Sequence, residues 1–278
     1  MTKIRAGRFT TIITAIVLAM VLWNCKETTG SRFYLNPVLG GDYPDPSVIR
    51  VGNDFYMTHS SFNYYPGLLV WHSTDLIHWE RISHALHTNV GSVWAPDLVK
   101  YRDTWYIYFP AGGTNWVVTA SSPMGPWSEP VDLKLGGFID PGHVVGPDGK
   151  RYLYLSKGYI VQLAEDGLST PDIPGNIYEG WQFPTTWSTE CFCLESPKAT
   201  IRNGFYYLTV AEGGTAGPAT SHMVVSARSK SPLGSFENSP YNPIVHTKDR
   251  SEEWWSQGHG TLVDDIKGNW WIMYHGYK

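Results

Sequence analysis

Short runs of alternating apolar and polar residues follow one another from Ser47 onward, and Gly, Asn, Asp and Pro separate them. The first two runs are Val48-Ile49-Arg50-Val51 and Phe55-Tyr56-Met57-Thr58, with Gly52-Asn53-Asp54 between them. Runs of this length with a period of two predict strands, and a short turn between two of them predicts a hairpin. Because no stretch keeps a period of 3.6 residues long enough for a substantial helix, the pattern predicts an all-β protein.

One unit recurs five times along the chain. A polar turn precedes a strand, a Gly/Asn/Asp bend follows it, and an aromatic pair opens the next strand. The polar residues that mark the five units are Asp45, Asp97, Asp140, Glu195 and His259. The units begin about 43 to 64 residues apart, which is near the spacing of propeller blades. The sequence therefore predicts a five-bladed β-propeller with up to four strands in a blade.

Two of the units differ from the others. The third, from Asp140 to about Leu168, is lighter, and the following segment from Pro171 to Glu190 is predicted as loop. The fifth begins at His259 and has only about 20 residues before Lys278. We therefore expect a fifth blade that is truncated and lacks its outer strands.

The N-terminal residues predict export. Lys3, Arg5 and Arg8 precede an apolar run of residues 12–23 that ends at Cys25, as in a signal peptide. We interpret residues 1–25 as a lipoprotein-type signal with a lipidated Cys25; plain secretion and an uncleaved anchor are the alternatives. Residues 26–35 would form a short linker and residues 36–278 a single propeller domain. The expected location is a bacterial outer membrane or cell surface, or else the periplasm or the medium.

Composition narrows the class of partner. The net charge of −4 and the charged fraction of 17% leave no basic footprint for nucleic acid. Thirteen tryptophans and seventeen tyrosines fit both a strand-rich core and faces that stack on sugar rings. Cys191 and Cys193 would be poorly placed to bond to each other in an extended strand, so we expect reduced thiols.

Three of the repeated polar residues are carboxylates that could act together. A propeller directs the start of each innermost strand towards one axis, where Asp45, Asp140 and Glu195 would meet. Hydrolysis of a glycosidic bond needs a protonated carboxyl group at the leaving oxygen and an ionised one on the opposite face. Neighbouring anions would keep the acid protonated by raising its pKa. The alternative is that these residues only cap turns, since Asp-Pro often starts a turn; a glutamate in the fourth unit favours catalysis.

Seven short segments carry a more specific pattern. They are Asp42-Tyr43-Pro44-Asp45-Pro46-Ser47, Ser60-Ser61-Phe62, Trp94-Ala95-Pro96-Asp97, Ile139-Asp140-Pro141, Glu195-Ser196-Pro197-Lys198, Ala211-Glu212-Gly213-Gly214-Thr215 and Gly258-His259-Gly260. From Asn36 to the end, the chain resembles family 43 of the glycoside hydrolases, five-bladed propellers that act on xylans, arabinoxylans and arabinans.

The resemblance implies a role for each acid. Asp45 would be the general base that activates water, Glu195 the general acid, and Asp140 the residue that tunes and orients the acid. The family inverts configuration, which implies that base and acid are roughly 6.5–9.5 Å apart, with room for a water. Ser196-Pro197-Lys198 departs from the Gly-Pro-His of many members, and this change is expected to affect the leaving-group side more than the acid itself.

The resemblance also implies substrate contacts and an ion. Phe62 and Trp94 match positions that line the sugar subsite. His259 would face the central channel, as a substrate contact or as a holder of a calcium or sodium ion through water; the alternative is a hydrogen-bonded structural histidine. No cofactor is required. Relatives supply a further arginine from a segment beyond the fifth unit's second strand, which makes activity less secure than membership of the family.

These features predict an inverting hydrolase that removes terminal pentose residues, as a β-xylosidase or α-L-arabinofuranosidase, from oligosaccharides or polysaccharides of the xylan type. An arabinanase or galactan-cleaving enzyme is the alternative among hydrolases. A surface propeller that binds glycans without turnover is the alternative from another class. An interaction propeller without a sugar site would instead have an apolar plug in its centre.

Overall fold

The computed structural model describes residues 33–278. The predicted signal peptide and Cys25 lie outside the described residues, as does most of the predicted linker. Residues 37–278 form one compact unit. In the part of the chain that the structure describes, no helix has the length and apolar character needed to cross a membrane.

The first two blades each contain four antiparallel strands in chain order. Blade 1 consists of β1 Ser47–Val51, β2 Asp54–Thr58, β3 Gly67–Ser73 and β4 Glu80–Leu86. Blade 2 consists of β5 Asp97–Tyr101, β6 Thr104–Ala111, β7 Thr114–Ala120 and β8 Val131–Asp132. Their hairpins form where the alternating runs and the Gly/Asn/Asp turns of the sequence predict them.

Blades 3 and 4 repeat the antiparallel arrangement, and blade 4 has an additional short strand that also pairs with its third strand. Blade 3 consists of β9 Gly142–Val145, β10 Arg151–Leu155, β11 Tyr159–Gln162 and β12 Gly175–Asn176. Blade 4 consists of β13 Glu195–Arg202, β14 Phe205–Glu212, β15 Met223–Ser229, β16 Glu237–Asn238 and β17 Val245–His246. The segment predicted as loop after Pro171 therefore contributes β12, the outer strand of blade 3, because Gly175 and Asn176 pair with β11.

The fifth sheet has two antiparallel strands, β18 Trp255–Asp264 and β19 Trp270–Tyr277. It packs against blade 1 and completes the ring. Thr261 Oγ1 donates a hydrogen bond of 2.6 Å to the carbonyl of Pro46, and Arg50 pairs with Asp264 at 2.8 Å. The prediction of an all-β propeller is confirmed, with four blades and this two-stranded sheet among residues 33–278.

The apolar core is divided into layers between neighbouring sheets. Leu68 and Val70 of blade 1 pack with Leu98 and Ile107 of blade 2, and similar clusters join blades 2 and 3 and blades 3 and 4. A smaller cluster joins blade 1 to Val263 of the fifth sheet. Each layer buries the faces of two neighbouring sheets. This packing holds the inner strand of every sheet at the hub.

The inner strands approach one another closely at the hub. Gly142 opens β9, and a Cβ atom there would lie 1.7 Å from the carbonyl oxygen of Pro197 on β13. Only a residue without a side chain permits that approach. The contact lies beside Asp140 and Glu195, so it sets the spacing of two predicted catalytic residues.

Candidate active site

The structure brings the three predicted carboxylates together at the hub. Asp45 and Asp140 each lie two residues before the inner strand of their blade, and Glu195 is the first residue of β13. Asp45 and Asp140 have left-handed backbones, with φ of 61° and 54°. Non-glycine residues take this conformation at a cost of roughly 1–3 kcal/mol, so the surrounding structure must impose it.

Asp45 is held as a carboxylate. Its Oδ2 accepts a hydrogen bond from Ser60 Oγ, and its Oδ1 lies 3.2 Å from Nδ1 of His259 and 3.1 Å from Nδ1 of His275. Burial would raise the pKa of Asp45, but His259, His275 and Ser60 outweigh it and lower the pKa well below its usual range. An ionised oxygen therefore remains available to accept a proton.

Asp140 has the opposite character. Its side chain is buried, and Oδ2 accepts one hydrogen bond of 3.1 Å from the backbone N–H of Ser196. Burial, followed by the charges of Glu195 and Asp45, raises the pKa of Asp140 well above its usual range. Glu195 and Asp45 therefore lie near enough to Asp140 to interact with it electrostatically.

Glu195 also favours its protonated form. Burial raises its pKa, and the charges of Asp45 and Glu190 add to the effect. Since Asp140 shows the same direction, the Asp140–Glu195 pair holds a proton to higher pH than either isolated side chain would. Acid–base cleavage of an acetal requires one ionised carboxylate and one protonated carboxyl group. Asp45 fits the first requirement, and the Asp140–Glu195 pair fits the second.

Asp97, the fourth repeated acid, forms an ion pair and a hydrogen bond that connect its blade to two others. Its Oδ1 lies 2.8 Å from Nζ of Lys198, and its Oδ2 accepts a hydrogen bond of 2.7 Å from the backbone N–H of His143. Lys198 Nζ also donates to the carbonyls of Pro96 and Pro141, at 2.9 and 3.1 Å. The ammonium group of Lys198 thus joins blades 2, 3 and 4 inside the hub. Its effect on the leaving-group side stays a prediction.

Phe62 and Trp94 lie side by side near the acids. The backbone N–H of Phe62 donates to the carbonyl of Val93 at 2.8 Å, and the N–H of Val93 donates back to Phe62 at 2.9 Å. Trp94, the next residue, is 47% exposed, and its Nε1 donates to Ser92 Oγ at 3.2 Å. An exposed indole is suited to the apolar face of a sugar; the subsite roles of Phe62 and Trp94 stay predictions.

His259 is 3% exposed and contacts Asp45. Burial lowers the pKa of His259 to about 3, although Asp45 acts in the other direction. A neutral ring that carries its proton on Nδ1 donates it to Asp45, which leaves Nε2 as an acceptor that is buried and has no partner among the described residues. Within residues 33–278, no group of three or more His, Cys, Asp and Glu side chains is placed to hold a metal ion directly.

His275 and Ser60 are functional candidates that the sequence did not indicate. His275 lies on β19, and its Nε2 is 3.3 Å from Thr215 Oγ1. Its ring stacks on His222, with centroids 5.2 Å apart. His275 occupies no repeated position, so no periodic signal marks it; Ser60 was quoted only as part of a motif.

A cavity of about 480 Å³ opens beside Glu195. It lies between blades 3 and 4, and its walls include Ile139, Ser156, Lys157, Glu179 and Phe192. The volume is within the range of small-molecule sites. The cavity therefore adjoins the residue that the sequence predicts as the general acid.

The loop of residues 177–194 forms part of that cavity and contains a disulfide between Cys191 and Cys193. The expectation of two reduced thiols is therefore wrong. It assumed an extended strand, in which residues i and i+2 are about 6.6 Å apart. Here the chain bends outside any strand, and the Cα atoms are 5.2 Å apart, within the range for a disulfide.

Comparison with known proteins agrees with this geometry. The family model for glycosyl hydrolases family 43 matches residues 34–278. The chain belongs to this family. The resemblance stated from the sequence is thereby confirmed.

Two curated relatives illustrate the similarity. Xylan 1,3-beta-xylosidase of Vibrio sp is 35% identical over 86% of this chain and 49% of its own length. Non-reducing end alpha-L-arabinofuranosidase of Bacteroides ovatus is 33% identical over 95% of this chain and 51% of its own length. The chain therefore spans about half the length of the relatives that it matches.

A solved structure shows the same fold. The family 43 protein BlXynB of Bacillus licheniformis superposes with a TM-score of 0.79 at 36% identity, over 88% of this chain and 50% of that one. The propeller of residues 37–278 therefore corresponds to part of a longer molecule in this neighbour.

Proposed function

We propose that this protein is an inverting glycosidase that removes terminal pentose residues from xylan- or arabinoxylan-type oligosaccharides. The observation that carries the proposal is the contrast among the three acids at the hub. Asp45 is stabilised in its ionised form, whereas Asp140 and Glu195 are shifted towards protonation. Opposed shifts in neighbouring carboxyl groups are characteristic of acid–base pairs.

In the proposed reaction, Asp45 accepts a proton from a water as that water attacks the anomeric carbon. Glu195 donates a proton to the glycosidic oxygen, and the bond from the anomeric carbon to that oxygen breaks. Water enters on the face opposite the leaving group, so the configuration inverts. Asp140 supports Glu195 through its position, because the hydrogen bond that it accepts from Ser196 fixes the start of β13.

The names of the relatives support a pentose as the sugar that is removed. Xylan 1,3-beta-xylosidase and non-reducing end alpha-L-arabinofuranosidase both name terminal pentose units, and Butyrivibrio fibrisolvens has a relative named xylosidase/arabinosidase that is 33% identical. The leaving oligosaccharide would lie on the acid's side of the bond, and the cavity beside Glu195 has room for one of its sugars.

We further propose that the protein is exported, with a lipid on Cys25 as its anchor. The disulfide of Cys191 and Cys193 supports export, since such bonds persist mainly in oxidising compartments. For the ion, the acceptor Nε2 of His259 is suited to a water bound to calcium or sodium. When bound, such an ion would supply positive charge near the three acids.

The function is tested with aryl β-xylosides and α-L-arabinofuranosides and with polymeric arabinan. The expected result is release of pentose from an aryl glycoside. NMR should show that the first anomer of the product has the inverted configuration. Glu195→Gln should lower kcat by about 10²–10⁴-fold with little change in affinity for the sugar, because it removes the transferable proton. Glu165→Gln, which changes an exposed acid with 85% of its side chain accessible, is the control.

Other outcomes would change the assignment. Activity only on arabinan would favour the arabinanase alternative. Binding of xylooligosaccharides without turnover in the unaltered protein would favour a glycan-binding propeller, and a retained anomeric configuration would contradict the inverting mechanism.

A further inference from the structure

Phe192 occupies an unusual position between the two bonded cysteines. Its ring is 48% exposed and contributes to the wall of the cavity beside Glu195. The sequence Cys191-Phe192-Cys193 closes a very small ring through the disulfide. The backbone of Phe192 therefore has little freedom to move, which also restricts where its side chain can lie.

The two sides of Phe192 are also fixed to the propeller. The backbone N–H of Cys191 donates to the carbonyl of Gly213 at 3.3 Å, and the carbonyl of Leu194 accepts a hydrogen bond of 2.7 Å from the N–H of Lys157. The first bond anchors the loop to blade 4 and the second to blade 3. The disulfide therefore spans a segment that crosses from one blade to the other at the cavity.

The phenyl ring of Phe192 packs at one end of a series of stacked aromatic side chains. Phe192 lies on Phe183 with centroids 5.4 Å apart and an interplanar angle of 30°. Phe183 stacks on Trp187 at 6.4 Å, and Trp187 stacks on His246 at 4.6 Å. One part of Phe192 is thus packed against protein while the rest lines the cavity, as expected of a preorganised binding surface.

We propose that Phe192 binds the leaving-group sugar and that the Cys191–Cys193 disulfide fixes it for that role, so that reduction weakens the preference for oligosaccharides. The inference rests on the proposed function. A dithiol supplies two electrons and two protons: the bond between the two sulfurs breaks, two thiols form, and the dithiol becomes its own disulfide. The loop then retains its anchors at Gly213 and Lys157, but Phe192 gains freedom and binds sugar less well.

The test compares two substrates of the same pentose that differ only in the leaving group. The disaccharide places a sugar in the cavity, whereas the glycosyl fluoride places no ring there. For Phe192→Ala, the ratio of kcat/KM for disaccharide to that for fluoride should fall about three- to tenfold, the effect of one aromatic contact. Phe192→Tyr should restore it. Tyr241→Ala, which removes an aromatic ring that is 82% exposed, is the matched control and should leave the ratio unchanged.

The disulfide is tested separately. Cys191→Ser/Cys193→Ser and dithiothreitol-treated unaltered protein should both show the lower ratio. Mass spectrometry should count two more alkylatable thiols in the reduced protein than in the untreated protein. Dithiothreitol should have no effect on the double serine variant. A near-UV circular dichroism spectrum confirms that each variant is folded.

The outcomes separate the two proposals. An unchanged ratio in Phe192→Ala overturns the inference while leaving the hydrolase intact. A lower ratio in Phe192→Ala but not after reduction overturns the role of the disulfide. If the unaltered protein hydrolyses neither substrate, the proposed function fails, and calorimetry with xylotriose decides the inference: weaker binding by Phe192→Ala supports it, and equal binding overturns it.

Discussion

The Nδ1 atom of His275 lies 3.1 Å from Oδ1 of Asp45, although 230 positions separate the two residues. The same Nδ1 atom is 3.2 Å from the backbone nitrogen of Asp45. His275 belongs to the second strand of the fifth sheet, and Asp45 precedes the first strand of blade 1. The contact therefore makes the ionisation of the proposed base depend on closure of the ring.

His275→Phe keeps a planar ring but removes the Nδ1 atom, which contacts Oδ1 of Asp45. Burial would then be less well opposed, so the pKa of Asp45 should rise. Since the base must be ionised, the acid limb of the kcat/KM profile should move to higher pH, by about one unit for a loss of about 1.4 kcal/mol. Ser60→Ala removes a further hydrogen bond to Asp45 and should move the limb in the same direction.

A matched control exists in the exposed pair of His78 and Asp75, whose ring and carboxyl are 2.7 Å apart. His78→Phe should leave the pH profile unchanged. An acid limb that does not move in His275→Phe would show that Asp45 is not the group whose ionisation limits the reaction at low pH.

The repeat in the sequence made much of this arrangement predictable. Each unit begins with a polar residue, and the ring places those residues at one hub. Asp45, Asp140 and Glu195 could therefore be grouped before any contact between them was known. Spacing could not separate Asp97 from the other acids, because its different environment depends on the ammonium group of Lys198.

What could not be predicted depends on contacts between distant segments. His275 reaches Asp45 only because the fifth sheet packs against blade 1. The disulfide was missed for a local reason, since the prediction assumed extended backbone at Cys191 and Cys193. The cavity beside Glu195 depends on how the loop of residues 177–194 folds back across two blades, and no periodicity describes such a loop.

Asp140→Asn should make the general acid lose its proton more easily. In the unaltered protein, burial and neighbouring charges raise the pKa of both Asp140 and Glu195. Glu195 raises the pKa of Asp140, so the two carboxyl groups repel each other when both are ionised. Replacing Asp140 by a neutral amide removes that repulsion, so the basic limb of the kcat/KM profile should move to lower pH by about one unit. Asp103→Asn, at an exposed turn, is the control. A basic limb that stays in place would exclude an electrostatic role for Asp140.

Gly142→Ala should destabilise the fold and reduce activity together. The added methyl group would lie 1.7 Å from the carbonyl oxygen of Pro197, so β9 and β13 must separate beside the acids. Overpacking of this kind costs about 1–3 kcal/mol, which urea denaturation measures. Gly175→Ala is the matched control, because a Cβ atom there meets nothing within 4 Å and the backbone is not left-handed. Equal stability of the two variants would refute the close approach.

Lys198→Met tests the ion pair at the centre of the hub. Lys198 and Asp97 have side-chain exposures of 5% and 10%, and the amine also satisfies the carbonyls of Pro96 and Pro141. Removing the cation leaves a buried carboxylate without its partner, which costs about 3–5 kcal/mol of unfolding free energy. Adding Asp97→Asn to Lys198→Met should recover part of that loss, because the uncompensated charge is gone.

Arg102→Met breaks an exposed pair with Glu165 and should change stability little. If denaturation gave the same small effect for Lys198→Met as for Arg102→Met, the buried pair would not be what holds blades 2, 3 and 4 together at the hub.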